Sequence, residues 1–234
     1  MSLAPAHAHA HAHAALRDEI CRVGRSLFER GHVHATAGNI SVRLPGGAGY
    51  LITPTDACLG TLQPDRLALV AEDGTQTSGD RASKTLALHR QLYAAAPEAH
   101  CVIHSHSTHL VALTLAAPGL GVWSTDTILP PITPYFVMKV GRVPLLPYHR
   151  PGDPAVGRLA ALAIAQARQR GAPIRAVMLD RLGPNVWHDS PAAAMATLEE
   201  LEETARLWLM THPRPAPLDE AQIAELRQAF GAVW

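Results

Sequence analysis

The pattern of apolar and polar positions alternates between helical and strand periods along the chain. Residues 14–30 place Ile20, Val23, Leu27 and Phe28 on one helical stripe, and Gly31 stops it. NISVRL, the glycine-rich PGGAG and YLITP predict two strands joined by a hairpin. LALVAED predicts a third strand, with Asp73-Gly74 as a turn into TQTSGD. Ser83 is predicted to open a helix that runs to about Ala96 and ends at Pro97. HCVIHSH is a short strand, LVALTLAA a helix, and WSTDTILPPITPYF a proline-studded loop. VMKVGRVPLL reads as a strand and residues 154–170 as an alanine-rich helix. IRAVMLD and GPNVWHD read as further strands, and residues 192–210 as a long helix. Pro213, Pro215 and Pro217 interrupt the chain before a last helix, where Asp219 and Gln222 have the spacing of a capping box.

Strands and helices intermix with hairpins, so the predicted class is α/β, three-layer α/β/α with a central mixed sheet. The expected organisation is a His/Ala-rich leader over 1–13, one domain over 14–211, and a proline-rich link with a C-terminal helix over 212–234. No G-x-G-x-x-G or G-x-x-x-x-G-K-[ST] occurs to support a dinucleotide or P-loop site.

Composition narrows the function class. Hydrophobic residues at 47% and charged ones at 17% describe a globular chain. Twenty basic residues balance twenty acidic ones, which gives no bulk attraction to nucleic acid or an anionic membrane. No apolar run approaches the roughly 18 residues of a membrane span, and the start lacks the basic flank and apolar stretch of a secretion signal. The scattered, unpaired Cys21, Cys58 and Cys101 favour reduced thiols and a cytoplasmic address. His7, His9, His11 and His13 alternate with alanine; such a tract can bind metal, though a leader of no catalytic importance is the plainer reading.

The strongest chemical signal is H-S-H-S-T-H, from His104 to His109, at the end of a buried strand. Side chains two apart on a strand share a face, so His104 and His106 are candidate ligands of one metal ion, and imidazole suits Zn²⁺. A structural role for the pair fits the spacing as well. His109 falls at the start of the next helix, where it contacts substrate or caps the turn. Small polar residues at strand ends form a second group: Gly38, Asn39 and Ser41, then Thr53, Thr55 and Gly60. Ser83 and Lys84 sit at a helix start, where backbone N–H groups favour an anion. Together these residues suit a phosphate; separately each is an ordinary turn or cap.

GNISVR, the ITPT loop, SKTLALHRQLY and VIHSHSTH occur here in the order found in the class II aldolase/adducin family, and the resemblance spans about residues 14–210. LPPITPYFVMKVGRVPLLPYHRPGD and ELEETARLWL look most like its 3-oxo-tetronate 4-phosphate decarboxylase branch. The resemblance implies a fuculose-phosphate aldolase-like fold and a homotetramer with active sites between subunits. It implies a divalent metal, usually zinc, on His104 and His106, stabilising the enolate left by carbon–carbon cleavage. The substrate, a phosphorylated sugar acid or related oxo acid, is cleaved by decarboxylation or retro-aldol reaction. Asn39, Ser41, Thr53, Thr55, Ser83 and Lys84 are its expected binding residues.

Three positions depart from the family pattern. Thr85 stands where the catalytic carboxylate lies, four residues before His89. Leu182, in Asp180-Arg181-Leu182-Gly183-Pro184, stands where the third histidine ligand lies. Asp56 replaces a glycine or asparagine, and its charge opposes a phosphate. His149, His188 and Asp180 are candidate substitutes for the missing ligand. Lys84, one of two lysines with Lys139, is a candidate Schiff-base former that would make metal unnecessary. The alternative to a lyase is a catalytically impaired relative that binds a ligand or partner, as the adducin head does.

Overall fold

The computed structural model describes residues 13–117 and 119–234. The expected leader, with His7, His9 and His11, lies outside them except for its last residue. The chain forms two compact units, one of Met1–Ser105 with His188–Met195, the other of His106–Trp187 with Ala196–Trp234.

In the first unit, helix α1 (Ala14–Glu29) buries Ile20, Val23 and Leu27 as its period requires. Phe28 leaves the expected stripe: it is 39% exposed and its ring covers Gly60, where a Cβ would sit 2.5 Å from it. Arg17, 1% exposed, donates to the carbonyls of Pro64 (2.8 Å) and Leu67 (2.9 Å), which ties α1 to the turns below it. The sheet of this unit runs β4-β3-β2-β1-β5, from β1 (Asn39–Arg43), β2 (Tyr50–Ile52), β3 (Ala68–Val70), β4 (Gln76–Ser78) and β5 (Cys101–His104). Every pairing in it is antiparallel, and Asn39 lies opposite His104. Helix α2 (Leu86–Ala95) starts three residues later than the sequence predicts. Residues 83–85 form a turn instead, because Ser83 N–H donates to the Thr53 carbonyl (3.2 Å) and anchors that segment to the ITPT loop.

In the second unit, α3 (Thr108–Leu115) and α4 (Ala155–Gln169) match the predicted helices. The strand predicted over VMKVGRVPLL is corrected: Phe136–Val140 is a π-helical turn and only Leu145–Leu146 is extended, as β6. Thr133 Oγ1 accepts from Phe136 N–H and Gly141 N–H closes on the Phe136 carbonyl. Phe136, Val137 and Val140 are buried at helical spacing, so packing overrides β-branched propensity here. β7 (Ala176–Leu179) pairs in parallel with β6 and antiparallel with β8 (Gly183–His188). Helix α5 (Pro191–Met210) follows, then α6 (Glu220–Phe230), where Asp219 and Gln222 form the predicted capping box. Among the described residues no helix is long and apolar enough to cross a membrane.

Candidate active site

The first unit builds a polar seam between β1 and α2 from two matched periods. Asn39, Ser41 and Arg43 alternate onto one face of β1, and Thr85, His89 and Tyr93 recur every four residues along the helix. Two strand residues advance ~6.6 Å and four helical residues ~6 Å, so the two rows stay in step. Asn39 Nδ2 donates to Thr85 Oγ1 (3.3 Å), Ser41 Oγ meets His89 Nδ1 (2.8 Å), and the Arg43 guanidinium lies 5.4 Å from the Tyr93 ring centroid.

The middle of the seam is closed. Tyr93 O–H donates to the Ser41 carbonyl (2.9 Å), and its oxygen is 2.8 Å from Ser41 Oγ. With the Tyr93 proton used there, one arrangement satisfies every donor: His89 Nδ1–H to Ser41 Oγ, and Ser41 O–H to Tyr93. His89 Nε2 then carries a bare lone pair, which agrees with its lack of a hydrogen-bond partner among the described residues. His89 is 0% exposed, and burial first, then nearby His104, lowers its pKa to about 3. Ser41 and Thr53, both expected to bind substrate, are 0% exposed. The Ser41 hydroxyl is held by His89 and Tyr93, while Thr53 Oγ1 accepts from Ile40 N–H (3.2 Å). Their hydroxyls brace the protein interior.

The upper end of the seam is open. Thr85 is half-buried, and its oxygen accepts from Asn39 Nδ2 and from Ser83 Oγ, each at 3.3 Å. Asn39 Oδ1 is buried and has no hydrogen-bond partner among the described residues. Thr55 is held by its N–H on the Arg81 carbonyl (2.9 Å), and Lys84 is exposed beside Ser83. Asp56 is exposed in a left-handed conformation (φ 56°) next to Thr55. Gly38 sets the approach: at φ 84° a Cβ would meet Val33 Cγ1 at 2.8 Å and the His104 carbonyl at 2.9 Å, so only glycine lets Asn39 pair with His104. A cleft of about 620 Å³ lined by Arg43, Tyr50, Arg90 and His100 lies at the other end of β1 and includes none of these residues.

His104 is buried at the end of β5, and His106 is half-buried two residues on, past the end of the first unit. Leu182, in the second unit, has its N–H on the Leu179 carbonyl, and Arg181 before it takes φ 61°. Two of the candidate substitutes have other partners: His149 lies 3.6 Å from Asp153, and His188 2.8 Å from Asp189, whose pKa it lowers. Among the described residues no group of three His, Cys, Asp or Glu side chains is placed to hold a metal ion. Leucine offers no lone pair, so the donor set does not fit the three-ligand site that a catalytic zinc requires.

Sequence reasoning underrated His109. Its ring Nδ1 lies 2.8 Å from Glu202 Oε1, and the same carboxylate accepts from His109 N–H (2.9 Å) and Leu110 N–H (3.1 Å). No local motif announced Glu202, which reaches α3 from 93 residues away in sequence.

Residues 18–209 match the Class II Aldolase and Adducin N-terminal domain. The chain belongs to the class II aldolase and adducin family. It is 56% identical to the 3-oxo-tetronate 4-phosphate decarboxylase of Cupriavidus necator, over 94% of this chain and 97% of that one. The Escherichia coli K12 protein of the same name is 43% identical, over 91% and 95%. Among solved structures, YgbL of Klebsiella pneumoniae superposes with a TM-score of 0.80 at 40% identity, covering 91% of this chain and 98% of that one. The expected class, mixed α/β with a central sheet as in fuculose-phosphate aldolase, is therefore the one observed. Members of this family generally use a divalent metal.

Proposed function

We propose that this class II aldolase-family chain is a lyase that decarboxylates a phosphorylated 3-oxo sugar acid. The substrate for which its relatives are named, 3-oxo-tetronate 4-phosphate, is the first candidate. The observation that carries the choice of reaction is the hydrogen bonding of Thr85. A threonine hydroxyl has two lone pairs and one proton. Asn39 and Ser83 fill both lone pairs, so Thr85 can donate a hydrogen bond but cannot take a proton. Retro-aldol cleavage needs a base to remove a hydroxyl proton. Loss of CO₂ from a 3-oxo acid needs none: the bond between the carboxyl carbon and C2 breaks, and its electron pair moves into the C3 carbonyl as an enolate. A hydroxyl that can only donate suits that enolate.

Asn39, Thr55, Ser83 and Lys84 would hold the phosphate and the sugar oxygens. Lys84 is exposed, so it meets an anion more readily than it forms a Schiff base, which calls for desolvated surroundings. Zinc is the metal expected on His104 and His106. With the third ligand replaced by Leu182, no step is assigned to it. A homotetramer and a cytoplasmic address complete the reading, the latter supported by Cys21, Cys58 and Cys101 all being free thiols.

The test is CO₂ release from enzymatically generated 3-oxo-tetronate 4-phosphate, measured above the uncatalysed rate with the E. coli relative as positive control. Release together with a three-carbon hydroxyketone phosphate is the expected result. No acceleration, where the control is active, refutes the proposal.

A further inference from the structure

The seam between β1 and α2 opens a second time at its lower end, in the cleft of about 620 Å³ that Arg43, Tyr50, Arg90 and His100 line. We propose that this cleft binds a small hydroxylated anion, a molecule of the sugar-phosphate or sugar-acid class, separately from the site around Thr85.

Every lining residue belongs to the first unit, and the volume falls within the roughly 300–1,000 Å³ usual for small-molecule sites. The glycine-rich hairpin keeps part of it clear. Gly46 and Gly47, at φ 65° and 74°, bring no side chain to the cleft, and a Cβ at either would meet nothing within 4 Å. Tyr50 and Tyr93, also in the lining, stack with ring centroids 5.6 Å apart. The Arg43 guanidinium lies 5.4 Å from the Tyr93 centroid and that of Arg90 lies 5.6 Å from the Tyr50 centroid. The rings are too close to admit a cation between them, so each arginine covers an outer face. No ring face is left for a flat aromatic ligand, which selects one recognised by charge and hydrogen bonds.

The guanidiniums are placed but not used up. Arg43 Nη2 donates to the Pro97 carbonyl and Arg90 Nη2 to the Glu72 carbonyl (2.7 Å), one each of five N–H groups. Such ties explain where the two cations lie, and not why both border one open cleft beside His100. Glu72 supplies the one carboxylate of the lining, so the cations outnumber it. Its Oε1 accepts from Tyr50 O–H (3.0 Å), which leaves Oε2 for a ligand hydroxyl. Asp73 lies near Arg90 and Asp189 near His100, but neither lines the cleft, and they are engaged by the Thr75 N–H and the His188 ring.

Arginine-directed labelling tests the cleft residue by residue. The full-length protein is treated with phenylglyoxal, with glycerol 3-phosphate as the probe, and each modified arginine is located by peptide mass spectrometry. Arg43 and Arg90 should both be labelled, and saturating probe should slow both. Arg66 and Arg206, exposed and outside the cleft, should keep their rates. Glycerol, and sodium chloride at matched ionic strength, should protect neither. Folded Arg43→Gln, checked by its melting curve, should need about tenfold more probe to protect Arg90, the effect of losing one charge-assisted hydrogen bond. Lys84→Ala should leave the protection intact, which separates the cleft from anion binding beside Thr85. Unchanged protection of Arg90 in folded Arg43→Gln overturns a site shared by the two arginines. No protection in the wild type, or arginines closed to the reagent because another copy of the chain covers them, overturns the site altogether.

Discussion

Acidification should destabilise this protein through one residue, His89. Its imidazole is 0% exposed, tied at Nδ1 to Ser41, and unpartnered at Nε2, so protonation would place a charge in the interior with nothing to receive it. The folded pKa is lowered from 6.5 to about 3. The sign follows from linkage: a histidine depressed in the folded state leaves stability intact above the unfolded pKa. Between the two values the unfolded chain binds a proton that the folded chain refuses, and stability falls with pH. At pH 5 the unfolded imidazole is protonated by about thirty to one, which costs the fold about 2 kcal/mol relative to pH 7.5. Urea unfolding at pH 7.5 and pH 5, with chelator present, measures the loss. His89→Asn retains a polar atom near Nδ1 and removes the titration. The cavity it leaves lowers stability equally at both pH values, so the difference in pH dependence between variant and wild type isolates His89. Equal pH dependence in the two proteins would refute the reasoning.

Four further outcomes follow from particular contacts. Asn185 is 0% exposed on β8 with neither amide atom hydrogen-bonded among the described residues, so Asn185→Val should raise stability by about 1–3 kcal/mol in urea unfolding. Gly38→Ala should cost more than about 2 kcal/mol, since it forces φ 84° on a Cβ that meets the His104 carbonyl at 2.9 Å, and decarboxylation should fall with it. Thr85→Val keeps the shape and removes the donor, so kcat for CO₂ release should drop about 10²-fold with little change in melting temperature. Protein lacking residues 1–12 should retain less than one equivalent of zinc after dialysis, and Leu182→His, which adds an imidazole at that position, should raise zinc retention.

Most of the fold was legible because its elements follow simple periods. The stripe of α1 through Ile20, Val23 and Leu27, the PGGAG hairpin and the Asp219–Gln222 box need only local chemistry, and each forms where the pattern puts it. What simple periods do not show has tertiary causes. Phe136–Val140 is rich in β-branched residues, yet it coils because Thr133 and Gly141 close hydrogen bonds around it and the interior takes Phe136, Val137 and Val140 at helical spacing. Ser41 and Thr53 carry the residue types of a ligand site, and only the packed structure reveals that their hydroxyls face inward. The dyad of His109 and Glu202 depends on a contact spanning 93 positions, beyond any local motif.

One signal for the site was present in the sequence in a form that motif comparison passes over. Asn39-x-Ser41-x-Arg43 and Thr85-x₃-His89-x₃-Tyr93 are two polar rows whose steps match when a helix lies along a strand. Read together they predict the seam: its lower members seal one another, and its upper member, Thr85, meets Asn39 where β1 pairs with the end of β5. The seam implies that position 85 can vary without disturbing the fold. The interior contacts of His89 and Tyr93 hold α2 whatever stands above them, so position 85 is at liberty to carry a group that donates a hydrogen bond and takes no proton. A reaction that creates negative charge without first removing a proton tolerates that change. Loss of CO₂ from a 3-oxo acid is such a reaction; retro-aldol cleavage is not.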